Sequence, residues 1–286
     1  MNKRIYIIIT AHNEERFLAD TLKSLISQTL LPKKIVVVND NSTDSTQEII
    51  LNFSERYPIL SFVKITSGPQ HEPGSKVIRA FQKGIEMLDD SYDIICKFDA
   101  DLIFPEDYLE KVAEHFQNEL NYGIVGGFCT IEKNGSWIVE NLTNKDHIRG
   151  ALKAYRKKCF EDIGGLKKSI GWDTVDELLA RYHGWKVKTD TSLHVKHLKP
   201  TGKVYSKASK YKQGEAFYKM RYGFWLTLIA SAKLAFKKKS FSFFIDSMRG
   251  YFKAKKSNLE YLLSEEEGKF VRKLRWKKIR EKLGMR

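Results

Sequence analysis

The chain predicts an α/β protein built on a mostly parallel sheet flanked by helices, with a basic helical extension at its carboxyl end. Three observations carry that prediction. Short β-branched apolar runs alternate with segments whose apolar residues fall at helical spacing. The first, second and fourth of those runs end in polar clusters, where parallel sheets open onto ligand sites. A sharp change in charge then separates a near-neutral body from a basic region.

Residues 3–10 form a run of the kind buried inside parallel sheets. Residues 14–28 follow, with Phe17, Leu18, Leu22, Leu25 and Ile26 at helical spacing. Residues 34–38 (Lys-Ile-Val-Val-Val) read as a second strand and 43–53 as a second helix, with Ser42 or Thr43 as its N-cap. A third strand at 60–65, a third helix at 75–88 and a fourth strand at 92–98 continue the rhythm. Pro105 starts a helix over 105–116, because its missing amide costs nothing in a first turn. Such alternation predicts helices on both faces of the sheet. Beyond residue 120 the rhythm changes. Residues 123–130 and 136–139 read as strands of another sheet region or an edge, 148–160 and 174–183 as helices, and 185–195 as strand. Pro200-Thr-Gly-Lys203 is the strongest boundary signal, dividing the chain into 1–202 and 203–286.

The formal charge of +15 is confined to the second unit. From Lys203 onward there are 23 basic and 7 acidic side chains, whereas the body nets −1. Cys96, Cys129 and Cys159 are too few and too scattered for a zinc pattern or a disulfide framework, and fit a reducing cytoplasm. The apolar amino-terminal run breaks at His12-Asn-Glu-Glu15, too soon for a signal peptide. The longest uncharged stretch of the basic region, residues 222–232, falls far short of the ~20 residues a spanning helix needs. That region holds an aromatic-rich segment at 217–236, then Lys237-Lys-Lys239, and nine more basic residues over 269–286. Such a segment packs on the body, self-associates, or lies at a bilayer interface with its lysines toward anionic headgroups. Its charge also permits nonspecific nucleic-acid binding, but no helix-turn-helix, zinc or RNP pattern accompanies it, so no specific nucleic acid is expected.

The body's carboxylates call for a different partner. If Asp99 and Asp101 continue an extended backbone, their side chains share one face. Two carboxylates so placed repel, and a cation relieves them. A divalent metal bridging a diphosphate does so, since Mg²⁺ takes one or two carboxylates and completes its shell with phosphate oxygens and water. The plainer reading is a capped turn. Asp40 and Asp44, in Asn39-Asp-Asn-Ser-Thr-Asp44, likewise suit either a loop and N-cap or a contact to a base or ribose. Gly68-Pro-Gln-His-Glu-Pro-Gly-Ser-Lys76 is not a P-loop: its glycine spacing is one too long, and Ser precedes Lys.

Taken in order, these clusters resemble family 2 glycosyltransferases of the GT-A, nucleotide-diphospho-sugar-binding fold. The matching segments are Thr10-Ala-His-Asn-Glu-Glu15, Val37-Val-Asn-Asp-Asn-Ser-Thr-Asp44, the stretch from Gly74 through Lys76 to Gly84, and Lys97-Phe-Asp-Ala-Asp101. Gly150 to Arg156 with Ile163-Gly-Gly165, and Gly171-Trp-Asp-Thr174 ahead of Arg181 and Gly184-Trp185, complete the set. The similarity spans roughly residues 3–200 and implies a Rossmann-like GT-A sheet.

The resemblance implies a metal-dependent, inverting transferase that moves a sugar from a nucleotide-diphospho-sugar to a hydroxyl acceptor. Thr10, His12, Asn13, Glu14 and Asp40 would hold base and ribose, with His12 chiefly a loop former. Asp99 would contact ribose or metal, Asp101 would be the main ligand of Mg²⁺ or Mn²⁺, and His197 a third ligand. Lys76 would lie near the phosphates. Family members carry their base in a Glu-Asp pair about eleven residues before a Gly-aromatic step; counting back from Gly184 gives Asp173, with Trp172 where Glu is usual. Asp176 and Glu177 are rivals for that role, and Arg156, Trp172 and Asp176 are candidates on the acceptor or phosphate side. The resemblance also implies a glycan or glycolipid acceptor in envelope synthesis and a place in the cytoplasm, peripheral on the inner face of the cell membrane. Self-association, a purely nucleic-acid-binding protein and a silent nucleotide-binding relative are the alternatives.

Overall fold

The structure, a computed structural model, describes residues 3–68, 74–140, 146–199 and 211–284. The boundary segment at 200–203 and most of the glycine-containing loop at 68–76 lie outside the described residues.

The first half is the parallel sheet that the sequence predicts. Strands β1 (Ile5–Ala11), β2 (Lys34–Asp40), β3 (Leu60–Ile65) and β4 (Ile94–Asp99) lie in the order β3-β2-β1-β4, each pair parallel. Helices α1 (Leu18–Ile26), α2 (Thr46–Arg56) and α3 (Ser75–Ile85) make the crossovers. β1 and β2 are apolar without alternation because both their faces are buried; Ile7, Ile8, Val36 and Val37 are wholly inaccessible. The winding reverses between β1 and β4, and such a reversal opens a crevice above the strand ends. Pairing of Thr10 with Asp99 and of Ala11 with Asn39 brings all three polar clusters to that crevice together.

The second half mixes directions. It contains β5 (Leu102–Ile103), α4 (Tyr108–Asn118), β6 (Tyr122–Lys133), β7 (Ser136–Val139), β8 (Leu152–Arg156), α5 (Lys157–Asp162), α6 (Trp172–Tyr182) and β9 (Lys186–His197). The sheet continues from β4 through β8, β6 and β9 to β5, and β7 pairs with β6. β8 runs antiparallel to both β4 and β6, whereas β9 is parallel to β6.

Two expectations need correction, and a third segment gains detail. The helix expected over 148–160 is strand β8 followed by the short α5. Leu152 and Tyr155 satisfy a helical period locally, but the gap between β4 and β6 can be filled only by a hydrogen-bonded strand. Helix α2 begins at Thr46, not Thr43, because Asp44 accepts from the Thr46 amide and hydroxyl (3.1 and 2.5 Å) and residues 42–44 serve the neighbouring loop. The aromatic segment at 217–236 is two helices, α7 (Lys212–Lys219) and α8 (Gly223–Lys237), parted by left-handed backbone at Arg221 (φ 53°) and Gly223 (φ 73°).

Helices α9 (Phe241–Lys256) and α10 (Glu265–Lys282) follow, α10 opened by a capping box between Ser264 and Glu267. The Phe270 ring stands 5.5 Å from that of Tyr182 on α6, and Lys278 pairs with Asp146 at 2.5 Å. Phe217, Tyr222, Leu226, Leu263 and Val271 join the same buried apolar cluster as the sheet. No helix among the described residues is long and apolar enough to cross a membrane.

Candidate active site

The loops after β1 and β2 hold one another. Asn13, at φ 55°, donates its amide to the Ser42 hydroxyl (3.0 Å) and accepts from the Thr43 amide (2.8 Å). His12 Nδ1 lies 2.6 Å from the Asp40 carbonyl oxygen, and the Glu14 amide donates to Thr46 Oγ1 at 2.8 Å. His12 is thus placed as a loop former. The Asp40 carboxylate accepts from the Ser67 amide and hydroxyl (3.0 and 2.7 Å), which ties β2 to the segment after β3. Thr10 ends β1 beside Asp99, and Lys76 stands in the first turn of α3. The start of that helix touches the chain leading into α6, since a side chain at Gly74 would collide with Ser169 and Ile170.

Extended backbone stops at Asp99, so Asp99 and Asp101 do not share a face by strand alternation; a turn separates β4 from β5. Their environments differ accordingly. Asp99 is partly open and pairs with the buried ammonium of Lys97, two residues back on the same strand. Asp101 is buried, with Oδ2 3.3 Å from His197 Nε2 and Oδ1 accepting no hydrogen bond. The short β5 explains the meeting: Leu102 pairs with His197, and the Leu198 amide donates to the Asp101 carbonyl at 2.9 Å. Glu14 lies close enough to feel the charges of Asp101 and Asp99. Its Oε1 accepts from Lys199 at 2.8 Å while its Oε2 is buried without a partner. Burial raises the Glu14 pKa, and although Lys199 opposes this, the charges of Asp101 and Asp99 add to it. Asp101, with one buried oxygen unpartnered and the other beside the His197 imidazole, offers a two-residue donor set suited to a divalent cation that completes its shell with other oxygens.

Behind His197, donor atoms of Cys129, Glu140 and His197 lie within 4.8 Å of one another. Here the positive charge is already supplied: Arg149 pairs with Glu140, and its Nη1 is 3.5 Å from His197 Nδ1.

Three carboxylates project from α6, and only one reaches open space. Asp176 accepts from Lys153 (2.8 and 2.9 Å) and from the Tyr155 hydroxyl (2.5 Å), with 1% of its side chain exposed. Glu177, 8% exposed, accepts from the Ile148 amide (2.9 Å) and lies 3.1 Å from His147 Nδ1 and 3.3 Å from Lys153. Asp173 keeps 31% of its side chain accessible, with Oδ2 3.5 Å from His147 Nε2. Burial would raise its pKa, but His147 and Lys153 outweigh that and hold it below the usual carboxylate value. For His147, burial lowers the pKa, yet the Asp173 and Glu177 carboxylates prevail and raise it to about 9.

Trp172 is buried, its ring 5.4 Å from the Lys97 ammonium and 5.9 Å from that of Lys153. It therefore lies beside both cations and offers little surface to an acceptor, and Asp176 is equally enclosed. Arg156 is a correction. It sits opposite Ile94, at the far end of β4 from Asp99, and donates to the carbonyls of Phe116, Glu119 and Tyr122. Lys97 and Lys153 fall inside matching segments without a role there, although a lysine inside an apolar strand signals a buried carboxylate partner. His147, Arg149, Glu140, Lys199 and Ser67 carry no such signal.

Comparison with known proteins bears on the fold and the family. The mannosyltransferase PcManGT from Pyrobaculum calidifontis, solved with GDP-Man and Mn²⁺, superposes with a TM-score of 0.55 at 17% identity, over 76% of this chain and 63% of that one. TarS 1–349 from S. aureus with UDP-GlcNAc gives 0.58 at 15% identity, over 81% and 66%. The fold is thus the GT-A fold. In sequence, a probable glycosyltransferase of Bacillus subtilis (strain 168), YdaM, is 38% identical over 202 residues, covering 60% of this chain and 45% of the relative. A poly-beta-1,6-N-acetyl-D-glucosamine synthase of Staphylococcus aureus (strain COL) is 29% identical over 189 residues, covering 59% and 42%. The chain spans less than half the length of these curated relatives. Residues 6–167, more than half of the chain, match the model of Glycosyl transferase family 2, and the chain belongs to that family.

Proposed function

We propose that the chain transfers a glycosyl group from a nucleotide-diphospho-sugar to a hydroxyl acceptor, with inversion at the anomeric carbon and a divalent metal, Mg²⁺ or Mn²⁺, at the donor. The observation that carries this reading is the buried Asp101 carboxylate, with one oxygen beside His197 and the other without a partner, at the mouth of the sheet crevice. Asp101 and His197, with Asp99 nearby, are the residues that would hold the metal. Its chemistry when bound is to stabilise charge on the leaving diphosphate. Thr10, Asn13, Glu14 and Asp40 would hold base and ribose, and Lys76 would supply a cation near the phosphates.

Asp173 takes the proton from the acceptor hydroxyl. His147 and Lys153 keep it ionised and ready to accept, and its openness gives the acceptor access that Asp176 and Glu177 lack. The names of the curated relatives support an acceptor in envelope polysaccharide synthesis. Residues 1–202 then form the catalytic unit. The basic unit at 203–286 places it against the inner face of the cell membrane.

The test pairs binding with turnover. A general base is worth ~10²–10⁴ in rate, so Asp173→Asn should lose that factor in kcat while still binding nucleotide diphosphate and Mn²⁺. Thermal-shift screening of uridine, guanosine and thymidine diphosphates with Mn²⁺ or Mg²⁺ reads the binding side, because a ligand of the native state raises Tm. If no nucleotide with either metal moves Tm, the reading fails. Full turnover in Asp173→Asn would remove Asp173 from its role.

A further inference from the structure

We propose that α8 and α9 dock the protein on an anionic lipid bilayer, with the corner Phe236-Lys-Lys-Lys-Ser-Phe241 entering the headgroup layer. This rests on the surface reading of the basic unit and not on sugar transfer, so the two stand or fall separately.

Helix α8 carries apolar residues on both its sides. Its inward face buries Leu226 with the small or polar Thr227, Ser231 and Ala235, and a 2.7 Å hydrogen bond joins Ser231 to Ser247 of α9. Its outward face carries Trp225, Ile229, Ala232 and Phe236, at the spacing of a single helical stripe. Trp225 is 65% exposed and Phe236 87%. Phe241, 75% exposed, extends the apolar surface across the corner, and the exposed Phe252 of α9 stands 6.1 Å from Phe224. A helix that shows water its largest apolar residues marks an interaction surface.

Charge selects the occupant. Lys233, Lys237, Lys238 and Lys239 are exposed around the stripe, and Lys253, Lys255 and Lys256 continue the rim on α9. Against a second copy of the chain, this rim would meet its own like charges. An anionic bilayer accepts the aromatics and neutralises the lysines, whose long stems let the ammonium groups reach the headgroups. The self-repulsion is visible at Lys233: burial first, then Lys282, Lys237 and Arg275, lower its pKa.

Co-sedimentation of the full chain with vesicles tests the proposal. Binding is expected to vesicles of equal phosphatidylglycerol and phosphatidylcholine, and to be absent with phosphatidylcholine alone. Phe236→Ser with Phe241→Ser should weaken binding roughly tenfold or more, given the apolar area withdrawn. Replacing Lys237, Lys238 and Lys239 by Gln should cost about fivefold for each lysine. All five positions are solvent-facing, so unchanged Tm values verify that the variants fold. Three outcomes would overturn the proposal. The aromatic variant could bind as well as the parent, which would mean adsorption by charge alone. The chain could ignore vesicles yet form a dimer that the aromatic variant dissolves. It could prefer single-stranded DNA to vesicles at equal salt.

Discussion

Asp173 and His147 act on one another as a charge pair, and that pair sets how the candidate base responds to pH. The imidazolium stands 3.5 Å from Asp173 and 3.1 Å from Glu177, and its pKa is raised from 6.5 to about 9. A raised folded-state pKa contributes stability that is complete below 6.5 and lost as pH rises through about 9. His147→Gln removes the cation and, with it, one cause of the lowered Asp173 pKa. The acid limb of kcat/KM should therefore move to higher pH in His147→Gln. In urea unfolding, the stability gap between parent and variant should be largest near about pH 6 and shrink by about pH 10. An unmoved acid limb would show that Asp173 is not the group titrating in catalysis.

At the scale of elements, β8 decides the interior of the site. It inserts between β4 and β6 and carries Lys153 into a place with no solvent access, where Asp176 and Glu177 of α6 receive it. Removing one partner of such a pair strands the other charge, at a cost of about 3–5 kcal/mol. Lys153→Met should lower the unfolding free energy in urea by that amount, and a loss of under about 1 kcal/mol would mean that the carboxylates neutralise themselves by taking up protons. The same strand shows what was legible in the sequence. The parallel half could be read element by element, because its strands are short apolar runs, three of them closed by a polar cluster, with a helix after each of the first three. β8 could not, because Leu152 and Tyr155 suit either period and its conformation is set by distant neighbours. The site divides in the same way. Asp101, His197 and Asp173 stand out by position in the chain, whereas His147, Arg149 and Lys199 enter only through pairings across the fold, Lys199 with Glu14 among them. Arg156 misled for the converse reason: it lies four residues past the site-lining end of β8, at the opposite end of the strands.

Over the whole molecule, the charge boundary near residue 203 suggests two units, yet the packing joins them. Phe217, Leu263 and Val271 are buried in the cluster that also holds the sheet, Phe270 meets Tyr182, and Lys278 reaches Asp146. Within the basic unit, α7 and α9 cross where Gly214 faces the Ser247 carbonyl and Gly250 faces that of Tyr211, a contact too close for any side chain. A region bound this tightly should open together with the body. Hydrogen exchange can separate the possibilities, because amides released only by global opening all report the same free energy. Lys153→Met destabilises a residue far from α10 in the chain. If body and basic unit form one cooperative structure, the slowest amides of α10 should lose as much protection as those of β1 and β4. If α10 amides exchange in the variant at their parental rate, the basic unit is a separately folding appendage. A shared drop would mean that the surface carrying Phe236 and Phe241 is rigidly coupled to the sheet that carries Asp101.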